Sequence, residues 1–119
     1  MTPTGFYSAV QHQDDPDLLL VRTRVRRDAL RLAQFVRGDL ALSRAPSVRR
    51  PLPMADYPWR LAVPRETWAH FLLAETESIT YPNFKDEVAQ HDPVRVGIYH
   101  YVWELLSFLE GLDPHGRRL

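Results

Sequence analysis

Residues 18–27 read LLLVRTRVRR, and this run restricts the fold more than any other stretch of the chain. Side chains on a β-strand point alternately to opposite faces. On a strand through Leu18–Arg26, Arg22, Arg24 and Arg26 share one face, and Val21, Thr23 and Val25 share the other. One side of the resulting sheet meets a core and the opposite side carries guanidinium groups. The preceding HQDDPD, His12–Asp17, is turn chemistry: aspartates that bond their own backbone, and a proline with fixed φ. Before it GFYSAVQ, Gly5–Gln11, reads as a short strand with Phe6 and Val10 on one face and Tyr7 on the other. The two strands are expected to form an antiparallel hairpin.

Helical spacing follows. Ala29, Leu32, Ala33 and Val36 fall at i, i+3, i+4 and i+7, with Asp28 in the first turn and Gly38 where a C-terminal glycine belongs. Four prolines lie between Ser43 and Pro58, a stretch that tolerates at most an edge strand around Val48–Leu52. WRLAV, Trp59–Val63, is a better strand, with Trp59, Leu61 and Val63 inward and Arg60 outward. Pro64–Ser78 predicts a second helix with Trp68, Phe71, Leu72 and Ile79 on its stripe. Asn83 is placed to cap a short third helix, with Asp86 in the capping-box position. Asp92-Pro93 opens a last helix that Gly111 is expected to stop. Its apolar face is Val94, Ile98, Tyr101, Val102, Leu105 and Leu109, with a flanking strip of Val96, Tyr99, Trp103 and Leu106. The expected fold is α+β: a small, mostly antiparallel sheet of three to four strands with three to four helices on one face. Trp59, Trp68 and Leu105 are expected inside it.

A chain of 119 residues is expected to form a single globular domain, residues 1–119. With no cysteine, disulfides, thiolate zinc sites and cysteine nucleophiles are excluded. MTPTGFYSAV lacks a basic segment followed by an apolar run, and no stretch reaches the ~20 apolar residues of a membrane helix. A cytoplasmic protein with no membrane partner is therefore expected.

The formal net charge of zero conceals a split. Between Arg22 and Arg50 nine arginines face Asp28 and Asp39, a balance of +7; between Glu66 and Asp113 nine acids face Lys85 and Arg95, a balance of −7. Fourteen of the fifteen basic residues are arginine. Codon usage in a GC-rich genome produces such a bias without any function. Arginine also gives planar, bidentate recognition of phosphate and carboxylate.

Three places carry potential chemistry. Tyr7, Arg22, Arg24, Arg26 and Arg60 are expected to line the bare sheet face, where an aromatic among arginines stacks a base and holds phosphates. The same side chains also suit a solvated face whose arginine stems cover apolar surface. YPNFKD offers Asn83, Lys85 and Asp86 as a ligand-holding turn, although a cap already accounts for Asn83. YHYVWE brings His100 within reach of Glu104 at i+4, half of a general-base arrangement. No nucleophile accompanies it, since Ser8 and Ser107 lack a nucleophile-elbow context. His91 and His100 are nine residues apart, so no helical metal pair forms. Neither a metal nor another cofactor is expected. Tyr99, His100 and Trp103 are better read as a surface for a partner, or as a strip buried against the third helix.

GFYSAVQ, DDPDLLLVRTR, ADYPWRLAVP and NFKDEV…YHYVW together resemble a family of small bacterial and phage proteins with no established activity, and they cover most of the chain. The family pattern is a glycine–aromatic strand, an Asp-Asp-Pro turn before an arginine-bearing strand, an aspartate–tyrosine strand, then Asn-Phe-Lys-Asp and Tyr-His-x-x-Trp. The resemblance implies no reaction. It marks Asp14, Asp15, Arg22, Arg24, Asp56, Tyr57, Arg60, Asn83, Lys85, Asp86, Tyr99, His100 and Trp103 as the polar positions to test, and Pro58 departs from its plain alternating strand. The leading expectation is a non-catalytic binding module, an adaptor or regulator acting on a nucleic acid or a protein that handles it. The alternatives are a small metal-independent hydrolase or nuclease using His100 and the arginines, and a protein-binding inhibitor or antitoxin-like partner docking through Tyr99 and Trp103.

Overall fold

Alternation along Leu18–Thr23 gives the central strand, β2, whose Leu19, Val21 and Thr23 are buried. In the computed structural model, which describes residues 1–50 and 56–112, β2 pairs antiparallel with β1 (Tyr7–Gln11) and with β3 (Trp59–Pro64). The β1–β2 hairpin is present. Its loop is set by the Asp15 carboxylate, which accepts from the Asp17 amide at 2.9 Å, and by the His12 amide, which donates to the Leu18 carbonyl at 3.0 Å.

Helices α1 (Arg26–Asp39) and α2 (Arg65–Glu77) cover one face of this sheet. Leu32, Ala33 and Val36 of α1 and Phe71 of α2 meet Leu19, Val21, Leu61 and Val63 in one core. The remaining helices are α3 (Phe84–His91) and α4 (Pro93–Leu106), followed by a 3-10 helix over Ser107–Leu112. A three-stranded antiparallel sheet with four helices makes the fold α+β. The chain divides into two compact units, Met1–Thr80 with the sheet, α1 and α2, and Tyr81–Leu119 with α3 and α4.

Several elements end or face differently from the expectation. β2 stops at Thr23, because the Thr23 hydroxyl donates to the Val25 carbonyl at 2.7 Å and turns the chain. Val25 becomes the N-cap of α1, and Arg26 its first residue rather than a strand position. Asp28 is buried in that first turn, where it accepts from the Phe6 amide at 3.1 Å and sits at the positive end of the helix. Gly38 stays inside α1, and Ala41, at φ 51, takes the left-handed position after the helix.

Tyr7 faces the helices, not the open side. It is the register partner of buried Thr23, and paired residues share a face. Its ring packs edge-on to Trp68 and Phe71 with centroids 6.1 and 5.3 Å away, and Arg31 donates to its hydroxyl at 3.4 Å. Burial raises the phenol pKa above the ordinary 10.0, with Arg31 offsetting part of that rise. Gly5 makes room for this ring, since a Cβ there would lie 2.5 Å from it. Val10, by the same alternation, is exposed.

Of the edge strand expected around Val48–Leu52, a single bridge between Arg49 and Arg60 forms, and Leu52 lies outside the described residues. Trp59 and Trp68 are half-buried, whereas Leu72, Ile79 and Leu105 are exposed. Gly111 does not stop α4, which ends at Leu106 and tightens into the 3-10 helix.

Candidate functional site

Because β2 alternates with Val21 and Thr23 inward, Arg22 points to the face opposite α1 and α2, and so does its partner on β3, Arg60. The register continues on both sides: Ser8 pairs with Arg22, Arg22 with Arg60, and Arg60 with Arg49. The arginines thus form a row across the strands, Arg22–Arg60–Arg49, with neighbours about 4.8 Å apart in the pairing direction. Like charges directly opposite one another destabilise a sheet, so this row is held at a cost.

The guanidiniums are positioned by rings and neutral oxygens. Arg22 and Arg24 both lie over the Tyr57 ring, 4.9 and 4.3 Å from its centroid. Arg22 also donates to the Ser8 hydroxyl at 2.8 Å, Arg24 to the Asp56 carbonyl, and Arg60 to the Tyr57 carbonyl at 3.2 Å. On the helix-facing side of the sheet, where Trp59 pairs with buried Thr23, Arg26 and Arg50 lie 5.9 and 5.6 Å from the Trp59 ring centroid. Among the described residues no ion pair forms between these six arginines and a carboxylate. The contrast lies within the same chain: Arg31 pairs with Glu75 at 2.5 Å and Arg95 with Asp92 at 3.4 Å. The Nε of Arg22 is buried without a hydrogen-bond partner among the described residues, a further cost of holding this group in place.

Guanidiniums suit planar anions, and side chains already fixed, as Arg22 and Arg24 are over Tyr57, lose less entropy on meeting a phosphate.

Sequence reasoning placed Arg22, Arg24 and Arg60 together, and the structure joins them. Arg26, the first residue of α1, does not join them: it lies over Trp59, which shares the face of buried Thr23. Tyr7 is on the opposite face. That reading missed Arg49 as a participant and gave Tyr57 no role as a support. The legible signal was Tyr57, an aromatic just before Arg60 and downstream of an arginine-rich stretch.

In the second unit, Tyr99 is a core residue and not a docking surface. It stacks on Phe84 at 6.1 Å and takes a hydrogen bond from Arg95 at 3.1 Å. Trp103 is half-buried, edge-on to Phe84 at 5.7 Å and beneath the Lys85 ammonium at 4.9 Å. Asn83 accepts from the Asp86 amide at 3.1 Å, the cap bond, so Asn83 and Lys85 are occupied in holding α3. His100 is exposed and meets Glu104 at 3.0 Å. Ser107 donates to the Glu104 carbonyl and Ser8 accepts from Arg22. Among the described residues no three histidine or acidic side chains gather as a metal set, and no helix is long and apolar enough to cross a membrane.

No family model, curated protein or solved structure matches the chain.

Proposed function

We propose that the protein is a non-catalytic binding module that holds a nucleic-acid strand on its arginine row and serves as an adaptor or regulator there. The observation that carries this reading is Arg22, Arg24 and Arg60 gathered at Tyr57, with Arg49 beside Arg60, and no carboxylate partner for them among the described residues. A solvated face has no use for like charges in register. A polyphosphate chain neutralises them, and a base finds the half-buried Tyr57 ring alongside.

Fluorescence anisotropy with a short labelled single strand tests the proposal, with polyglutamate of matched charge as competitor. The expected result is binding that Arg22→Gln with Arg60→Gln weakens at least tenfold and that polyglutamate displaces poorly. Equal displacement by polyglutamate would assign the face to an acidic protein instead. Absence of binding would make it a solvated surface.

A further inference from the structure

A groove between α1 and α2 lies on the helix-bearing side of the sheet, so what it binds is independent of the arginine row. It has a volume of about 240 Å³ and is lined by Arg31 and Phe35 of α1 and by Phe71, Ala74, Glu75 and Ser78 of α2. Phe35 and Phe71 are its apolar wall, edge-on with centroids 5.3 Å apart. Ala74 and Ser78, four residues apart on one side of α2, are the small side chains that leave the space open. The polar part of the lining is an ion pair. Arg31 Nη1 lies 2.5 Å from Glu75 Oε1 and donates to the Tyr7 hydroxyl at 3.4 Å, and the guanidinium carbon sits 5.6 Å from the Phe71 ring centroid. The Glu75 side chain is only 11% exposed, yet Arg31 is the sole partner of its carboxylate among the described residues. A carboxylate drawn out of water with one partner keeps lone pairs unused, which costs free energy. Both contacts of Arg31 run through one nitrogen, so N–H groups of its fork remain for a ligand.

We propose that this groove binds a free α-amino acid with a large apolar side chain. Two opposite charges in contact select a ligand whose own opposite charges are adjacent: the α-carboxylate meets Arg31 and the α-ammonium meets Glu75. A simple anion is repelled by Glu75 and a simple cation by Arg31. The ligand's side chain then lies on Phe35 and Phe71 and leaves water. The volume is below the roughly 300–1,000 Å³ of sites for drug-sized ligands, so a molecule of amino-acid size fills it.

Amide NMR spectra of the full chain, titrated with L-phenylalanine, L-leucine, phenylpropionate, phenethylamine and glycine, test the proposal. L-Phenylalanine and L-leucine are expected to shift the Arg31, Phe35, Ala74 and Glu75 signals with dissociation constants of about 1 mM or below. Phenylpropionate lacks the ammonium, phenethylamine the carboxylate and glycine the side chain, and each should bind at least about tenfold more weakly. Ala74→Leu and Ser78→Leu, both at exposed positions, should fill the groove and abolish the shifts with the circular dichroism signal unchanged. Glu75→Gln should lose the preference for phenylalanine over phenylpropionate. No shifts from either apolar amino acid up to about 10 mM would overturn the proposal. So would equal binding of phenylpropionate or phenethylamine, which would leave an apolar cleft only, a preference that survives Glu75→Gln, or undiminished binding by the folded leucine variants.

Discussion

Arg22 on β2 and Arg60 on β3 stand directly opposite each other on the face of the sheet away from α1 and α2, two guanidinium-bearing residues in register. Tyr57 reconciles them: its ring lies under Arg22 at 4.9 Å and its carbonyl accepts from Arg60 at 3.2 Å. Removing the ring should therefore loosen the cluster. Tyr57→Ala is expected to lower stability by about 1 kcal/mol, the worth of two exposed cation–π contacts. It should also weaken oligonucleotide binding about tenfold, since two arginine side chains must then be ordered on binding. Tyr57→Phe keeps the ring and should bind like the wild type. Equal affinities for the alanine and wild-type proteins would show that the ring does not organise the site.

The core is checked by two adjacent residues of α2. Phe71 is 2% exposed, beside Tyr7, Phe35 and Trp68, whereas Leu72 is 45% exposed. Phe71→Ala should cost about 3–5 kcal/mol and Leu72→Ala less than about 1 kcal/mol in denaturant unfolding. Similar losses would mean that the inward face of α2 is wrongly placed.

Periodicity made the elements legible but not which stripe of an element faces inward. In α2 and α4 apolar residues occupy more than one face, and spacing alone does not rank them. Phe71 was legible as inward and Leu72 was not separable from it. In α4 the broader stripe through Ile98 and Leu105 is the exposed one, because the Tyr99 and Trp103 rings, with Arg95 bonding the Tyr99 hydroxyl, give α3 its packing surface. Arg22, Arg24 and Arg60 of the candidate site were legible from alternation. The Thr23 side-chain bond ends β2 before Arg24, and the row runs across the sheet from Arg22 through Arg60 to Arg49, which spacing alone did not include. A register between strands distant in sequence leaves no local trace. Tyr7 was misplaced for the same reason, since its face is fixed by pairing with Thr23.

His70 gives a pH signature. Its Nδ1 lies 2.9–3.0 Å from both oxygens of Asp39 and its Nε2 3.8 Å from Glu66, and the hydrogen bond to Asp39 holds its pKa above the ordinary 6.5. A raised folded-state pKa contributes stability that is complete below pH 6.5 and fades as pH rises through the folded value. Wild type should therefore exceed Asp39→Asn in melting temperature more at pH 5.5 than at pH 8.5. An NMR titration should place the His70 midpoint above 6.5 in the wild type and lower in Asp39→Asn. Coincident midpoints would remove the pair.

The most direct measurement of the central claim is the salt dependence of single-strand binding. If Arg22, Arg24 and Arg60 each neutralise one phosphate, the log–log slope is about −2, from roughly −0.7 per contact on a single strand. Raising salt from about 50 to 200 mM should then weaken binding about 20-fold, and Arg22→Gln with Arg24→Gln should flatten the slope to about −0.7 with the fold intact. A wild-type protein that shows no binding at low salt, or a double variant with an unchanged slope, would contradict the account.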